Sequence, residues 1–412
     1  MRILTVITKS ISYIKDFYAH HRFLASKSYE DQYEALVNDT YGGSEIWSTG
    51  LLRFGYESTR VYINIPYIQK RWAQEQGIQN IEEYGMENIV KDQICKFQPD
   101  ILFINNHTAF PSEFVKNLRA EIPSIRLVVG WCGSSYRDSS IFHEYDIVLS
   151  NIPELVEGFR SRGHCCYHLN HAFDPRVLEK ITAHELTPVD FSFLGSIVKS
   201  DGYHNERESL LVELIKTTEL EIWSAAKSPT LRQYIRILAS QFGYDTFQYL
   251  LRTELSKKWL AKEPMVARIS RIEKRPDFDG FVDHRIARRA RPPLFGHRMF
   301  QELIDSKVTL NTHTNISPKS ASNMRLFEAT GVGTCLLTDW KENLKDLFEP
   351  DIEVATYRDS RECIEKVKYL LQNEPGRRAI AEAGQRRTLR EHTIYHRAEK
   401  LDAIIQSHLR NV

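Results

Sequence analysis

An arginine and a glutamate three residues apart, Arg325 and Glu328, stand in the run Asn311-Thr-His-Thr-Asn-Ile-Ser-Pro-Lys-Ser-Ala-Ser-Asn-Met-Arg-Leu-Phe-Glu-Ala-Thr-Gly-Val-Gly-Thr-Cys-Leu-Leu-Thr-Asp339. At that spacing both side chains share one face of a helix. A guanidinium beside a helix N-terminus suits a diphosphate, because its planar fork and the first backbone N–H groups all donate to an anion. A carboxylate next to it can accept hydrogen bonds from sugar hydroxyls. The same two residues also fit a plain surface ion pair, and type and spacing alone leave both uses open.

These side chains need a strand end, a polar loop and a short helix to hold them. Ser322 or Asn323 offers an N-cap oxygen, while Met324, Leu326 and Phe327 offer an apolar face. Gly331 and Gly333 stop the helix, and Cys335-Leu336-Leu337 reads as a strand buried on both faces. In parallel sheets of that kind ligands bind outside the carboxyl ends of the strands.

Other chemistry-bearing residues fall at similar places. Asn105-Asn-His-Thr108 follows the apolar run Ile101–Ile104, so His107 would emerge at a sheet end. An imidazole there can act as a general base or donate to sugar hydroxyls, or merely cap the strand. Trp131 ends another run and could stack on a sugar or base, or simply pack inside. Gly42 and Gly43 precede a helix and let backbone N–H groups approach an anion or a sugar, as a plain turn would also do. Gly195-Ser-Ile-Val-Lys199 follows the run Phe191–Leu194, making Lys199 a phosphate candidate, and Arg207 could reach the same anion from the next helix. His171 reads as a hinge feature between halves. Asp277-Phe-Asp279 spells a metal-binding pair but sits in a turn-rich basic stretch, and no metal site is expected there. Arg285, Arg288, Arg289 and Arg291 form a cationic face that could meet an anionic acceptor or simply be solvated.

The run Arg325–Asp339 resembles the nucleotide-sugar end of GT-B glycosyltransferases, and is most similar to the group of the CgeB spore-maturation protein, with its Arg-x-Phe-Glu helix, Gly-x-Gly and apolar strand. Pro293-Leu-Phe-Gly-His297, Ser306-Lys-Val-Thr-Leu-Asn-Thr-His313 and Glu391-His-Thr-Ile-Tyr-His-Arg397 resemble the same group. The resemblance implies that Glu328 holds the donor ribose, that Gly195, Lys199 and Arg207 belong to the donor-phosphate side, and that Gly42-Gly43 is an acceptor-side loop lined by Trp131. It implies hexosyl transfer with retention, using a nucleoside diphosphate sugar and neither cofactor nor metal. A second family glutamate falls on Ser320, which leaves the donor-sugar contacts and the configuration open.

The chain has 412 residues, 42% hydrophobic and 26% charged, enough for two domains with full cores. A formal charge of +1 gives no overall pull toward nucleic acid or an anionic membrane. Six cysteines lack zinc or redox spacing, so a reduced cytoplasmic setting is expected. No apolar run is long enough to span a bilayer, which leaves only peripheral membrane contact. Strands are expected at Arg2–Thr8, Thr59–Ile63, Ile101–Asn105, Leu127–Gly130, Ile147–Ser150 and Cys166–Leu169, alternating with helices near 44–54, 82–97, 111–120 and 152–162. A polar, aromatic segment over 9–41 interrupts the first connection. Later strands are expected at Phe191–Leu194, Leu220–Trp223, Val308–Asn311, Thr334–Thr338 and Ile352–Ala355.

The expected fold is therefore α/β, with two Rossmann-like doubly wound domains facing a cleft and a helical insertion in the second. The acceptor-side domain covers 1–173, a linker 174–190, the nucleotide-sugar domain 191–390 with an insertion at 226–292, and a closing helix 391–412 crosses back to the first domain. The expected function is transfer of a sugar from a nucleotide diphosphate sugar to a hydroxyl of a glycan, lipid-linked or small-molecule acceptor, as in polysaccharide biosynthesis. The alternatives are a non-catalytic nucleotide- or glycan-binding protein and a nucleotide-sugar epimerase. Oligomeric state, base and sugar are not legible in the sequence.

Overall fold

The computed structural model describes residues 1–42, 47–106, 108, 110–134, 136, 138–184, 188–197, 205–251 and 275–410. Met1–Phe193 with Leu294–Val412 form one compact unit, and Leu194–Pro293 form a second.

The larger unit holds a first sheet of β1 (Arg2–Ile7), β2 (Glu57–Tyr62), β3 (Ile101–Ile104), β4 (Leu127–Trp131), β5 (Ile147–Ser150) and β6 (Cys166–His168). Its order is β2-β1-β3-β4-β5-β6 and every pairing is parallel. The apolar runs Ile-Leu-Phe-Ile and Ile-Val-Leu-Ser are buried throughout, as a sheet covered on both faces requires. Period-two alternation deals their side chains to separate cores. Leu4, Leu102, Ile104, Val128 and Val148 pack with Ile94, Val115 and Phe159 on one face. Ile3, Ile101, Phe103, Val129 and Leu149 pack on the other with Trp47, Leu51 and the C-terminal helix Ile394–Leu409.

That last helix places Ile394, Leu401 and Ile405 in the first sheet's core, all at most 1% exposed. Each such side chain contributes about 1.5–3 kcal/mol by leaving water. Gly50 makes the approach possible, since a Cβ there would lie 2.6 Å from the Ala398 Cβ.

The segment after β1 differs from the expected long interruption. It forms two helices, Ile11–His20 and Tyr29–Asn38. Ser10 caps the first, and Ser28 with Asp31 makes a reciprocal capping box on the second. Tyr13, Phe17, Tyr18, Leu36, Tyr62 and Ile65 bury together, with Phe295 against them. A further helix, Pro66–Glu75, was not expected; Pro66 opens it where a missing N–H costs nothing.

A second parallel sheet has strands β7 (Val189–Leu194), β8 (Glu221–Trp223), β9 (Ala290–Arg291), β10 (Ser306–Asn311), β11 (Cys335–Asp339) and β12 (Ala355–Tyr357). In the larger unit its order is β12-β11-β10-β7. The expected strand at Ile352–Ala355 starts later, because Asp351 takes a left-handed φ of 59° and turns the chain there, leaving Ile352 exposed. In the smaller unit β8 and β9 pair in parallel, beside the helices Asn205–Thr217, Leu231–Leu251 and His284–Arg289. The insertion thus contains a short strand as well as helices. Among the described residues no helix is long and apolar enough to cross a membrane.

Candidate functional site

The loop leaving β10 is tied down by side-chain amides. Asn311 Nδ2 donates to Thr338 Oγ1 (2.9 Å) and to Asn323 Oδ1 (3.1 Å), and Asn323 Nδ2 returns a bond to Asn311 Oδ1 (2.6 Å). Asn151, just past β5, donates from Nδ2 to the Ser322 carbonyl at 2.7 Å. Asn323 is therefore committed to the strand end, and the helix Arg325–Gly331 starts from Met324 without a side-chain cap. This corrects the expected Ser322 or Asn323 N-cap.

Arg325 and Glu328 do meet. Arg325 Nη1 lies 2.9 Å from Glu328 Oε2, and also donates to Met299 Sδ at 3.4 Å on the helix Gly296–Ile304. Leu326 and Phe327, both 0% exposed, anchor the other face. Glu328 is itself buried, so the pair is not the surface ion pair that its spacing also allowed. Burial pushes the Glu328 carboxyl upward, and the neighbouring guanidinium pulls it back.

A second acid–base pair was not singled out from the sequence. His313 follows β10 and Asp339 ends β11, and parallel register brings them side by side. Asp339 Oδ1 accepts from the His313 Nδ1–H (2.7 Å) and from its backbone N–H (3.0 Å), and Lys341 Nζ lies 3.3 Å from Oδ2. Burial raises the Asp339 carboxyl, but His313 and Lys341 outweigh it and hold the group below the usual range. Nε2 is buried and has no hydrogen-bond partner among the described residues. It accepts a hydrogen bond in the neutral ring and donates one in the imidazolium. The only trace in the sequence is a polar residue directly after each of two apolar runs.

At the first sheet, the Lys9 ammonium donates to the Tyr41 carbonyl among the rings of Tyr13, Tyr41 and Tyr62 at 5.6, 5.3 and 5.8 Å. Gly42 follows directly. Asp39 accepts from Tyr13 Oη (2.9 Å) and lies so near Gly296 that a Cβ there would stand 2.1 Å from Oδ1. The loop ending at Gly42 thus rests against the Leu294–His297 segment. Asn106 donates to Thr8 Oγ1 at 2.9 Å and so fixes the turn after β3. Gly43 and His107 lie outside the described residues, as does Lys199.

Trp131 is the last residue of β4, 8% exposed, with its ring 4.9 Å from Trp47 in an edge-on contact. It belongs to the core and not to an acceptor-side loop, because the sheet continues one residue past the expected strand end. Ser320 lines a cavity of about 770 Å³ with His168, Asn170, Asn343, His392 and Arg397. Beside that cavity Arg397 ties several segments together. Its Nε donates to the carbonyls of Asn170 (3.2 Å) and His171 (3.1 Å), Nη1 to the Glu391 carbonyl (3.1 Å) and Nη2 to His392 Nδ1 (2.9 Å). His392 Nε2–H donates onward to the Leu347 carbonyl at 2.8 Å. His171 contributes a carbonyl to this clasp.

In the smaller unit Gly195 ends the strand as expected, its N–H donating to the Trp223 carbonyl at 3.2 Å. Arg207 Nη1 donates to the Ser196 carbonyl at 2.7 Å, so it holds the loop that it was expected to complement. Asp277 Oδ1 accepts from its neighbour's N–H at Phe278, a turn contact. The expected cationic face is largely neutralised by pairing: Arg285 with Asp283 at 2.8 Å, Arg289 with Glu219 at 2.7 Å, and Arg291 with Glu221.

Residues 264–403, about a third of the chain, match the family described as "Glycosyl transferase-like". No curated protein matches the sequence. Solved structures share the whole fold at low identity. Sucrose-phosphate synthase from Thermosynechococcus elongatus superposes with a TM-score of 0.54 at 8% identity, covering 100% of both chains. Anabaena HepE in complex with UDP-glucose gives 0.54 at 11%, covering 99% of this chain and 100% of that one. An α-glucosyltransferase in complex with UDP-glucose and abasic-site DNA gives 0.54 at 13%, covering 98% and 99%. The chain has the two-domain α/β fold of GT-B glycosyltransferases.

Proposed function

We propose that this protein transfers a hexosyl group from a nucleoside diphosphate sugar to a hydroxyl acceptor. The observation that carries the reading is the buried Arg325–Glu328 pair, set on one helix face just past the carboxyl end of β10 in this fold. Glu328 would accept hydrogen bonds from the ribose hydroxyls, and Arg325 would bond the diphosphate. As the bond from the sugar C1 to the β-phosphate oxygen breaks, that oxygen takes up negative charge, which the guanidinium stabilises without reorganising. The acceptor oxygen forms the new bond to C1, and its proton leaves to a base. His107 is the proposed base, Lys199 a further phosphate contact and Gly42-Gly43 the acceptor-side backbone, all three on sequence grounds. In this scheme charge neutralisation falls to protein donors and not to a metal. The proposed setting is cytoplasmic.

Ser320 supports a second reading. It stands where the resembling enzymes carry a glutamate, which fits a protein that binds a nucleotide or glycan without turnover.

Thermal unfolding with UDP, GDP, ADP, TDP and CMP tests both readings. A ligand at a hundred times its Kd adds about 2.7 kcal/mol, enough for a readable shift. UDP-glucose, found with two of the similar structures, is the first donor to try. Glu328→Gln keeps the side chain's shape and is expected to abolish the shift; an unchanged nucleotide affinity would count against the assignment. Nucleotide release that requires an acceptor marks a transferase, isomerised donor an epimerase, and binding without either a non-catalytic protein.

A further inference from the structure

The cavity of about 770 Å³ beside Arg397 opens where three strands end. Pro153 follows β5, His168 closes β6, and Glu342 and Asn343 follow β11, so it lies at the strand ends where ligands bind in such sheets. Its volume falls within the usual range of small-molecule sites, about 300–1,000 Å³. Its charges are not balanced. Glu342, Asp346 and Glu399 are exposed and have no ion pair among the described residues, and the same holds for Lys400. Glu391 is already matched by Arg387 and Arg390, at 3.0 and 2.9 Å. Arg397 directs its N–H groups to carbonyls and to His392. Burial first, then Arg397, holds His392 and His396 below the usual imidazole range, so neither adds charge at neutral pH. Three carboxylates and one ammonium therefore line the space with hydrogen-bonding capacity to spare.

That lining selects a class of occupant. A phosphate or other anion would meet three carboxylates against one ammonium, an unfavourable balance. Among the described residues the lining holds no phenylalanine, tyrosine or tryptophan, and Pro153 and Leu347 are its only apolar side chains. A nucleobase or a lipid chain thus finds no wall to pack on. An organic cation would suit the carboxylates but be opposed by Lys400. Hydroxyl groups suit both, since each donates to a carboxylate and accepts from an ammonium. We infer that this cavity binds a neutral carbohydrate, and that the acceptor is an uncharged glycan rather than a phosphate-bearing one. The role as acceptor rests on the proposed transfer activity; the binding of a neutral sugar does not.

The test is a printed array of neutral and anionic oligosaccharides, the latter sialylated, sulfated or phosphorylated, probed with the labelled full chain. Neutral members are expected to bind. Asp346→Arg and Glu399→Arg are each expected to lower that binding on the order of tenfold or more, as the loss of a charged hydrogen bond would. Both residues are exposed, so both variants should keep the wild-type melting temperature. No bound glycan, a preference for anionic members, or neutral binding unchanged in both variants overturns the inference. So does a loss in both variants confined to UDP-glucose relative to UDP, which would put the donor's sugar in the cavity in place of an acceptor. The nucleotide shifts measured with Glu328→Gln separate the two ideas. Shifts without glycan binding sink the cavity assignment alone, and glycan binding at the cavity without any nucleotide shift sinks the transfer activity alone.

Discussion

Lowering the pH should unfold this protein through His392 in a way that one substitution isolates. The imidazole is 5% exposed, packed 5.2 Å from the Phe327 ring and 5.1 Å from Phe348. Nδ1 accepts from Arg397 and Nε2–H donates to Leu347, so a second proton would cost an acceptor and place a cation beside the guanidinium. Burial first, then Arg397, depress its pKa from 6.5 to about 4. The folded state therefore refuses a proton that the unfolded chain accepts. Its contribution is complete above pH 6.5 and is lost as the pH falls toward 4, at about 1.4 kcal/mol per unit. The expected loss is about 2 kcal/mol by pH 5 and about 3 kcal/mol by pH 4, a large share of a net stability of about 5–15 kcal/mol. Urea unfolding of wild type and His392→Gln at pH 7.5, 6.5, 5.5 and 5.0 checks this. Other titrating groups act on both proteins alike, so the difference between them isolates His392. That difference should narrow steadily below pH 6.5; a gap that stays constant to pH 5 would refute the reasoning.

Two further substitutions test the contacts between the halves of the larger unit. Gly331→Ala would place a Cβ 2.3 Å from Phe173 Cγ, so overpacking of about 1–3 kcal/mol is expected in urea unfolding, and an unchanged midpoint would show that the ring can yield. Arg397→Lys keeps the charge but loses the planar fork, stranding some of the carbonyls of Asn170, His171 and Glu391. A loss of about 2–4 kcal/mol is expected, again read from the urea midpoint, while wild-type stability would exclude a clasp role.

The parallel strands could be read directly because both faces are buried, which leaves unbroken runs such as Ile101–Ile104. The helices within 9–41 were hidden by composition. Their core is tyrosine and phenylalanine rather than leucine, although Ser28 and Asp31 already spelled a capping box. At the site, Arg325 and Glu328 were legible because their contact is local, three residues along one helix. His313 and Asp339 were not, since 26 residues separate them and only the register of β10 on β11 joins them. The same holds for Asn323, which looked like a cap until the amide of Asn311 claimed it. Trp131 and Arg207 were judged by residue type, and only packing could show that one lies in a core and the other binds a carbonyl.

The C-terminal helix has a consequence for synthesis. Ile394, Ala398, Leu401 and Ile405 complete a core whose other members begin at Ile3, so nearly the whole chain must be made before that face can close. Until then Trp47, Leu51 and their neighbours stay open to water, a state that invites association with other nascent chains. Contacts spanning nearly 400 residues also favour slow closure. An N-terminal fragment ending near Phe193 would keep that face uncovered permanently, and is expected to need a chaperone or the C-terminal piece supplied in trans.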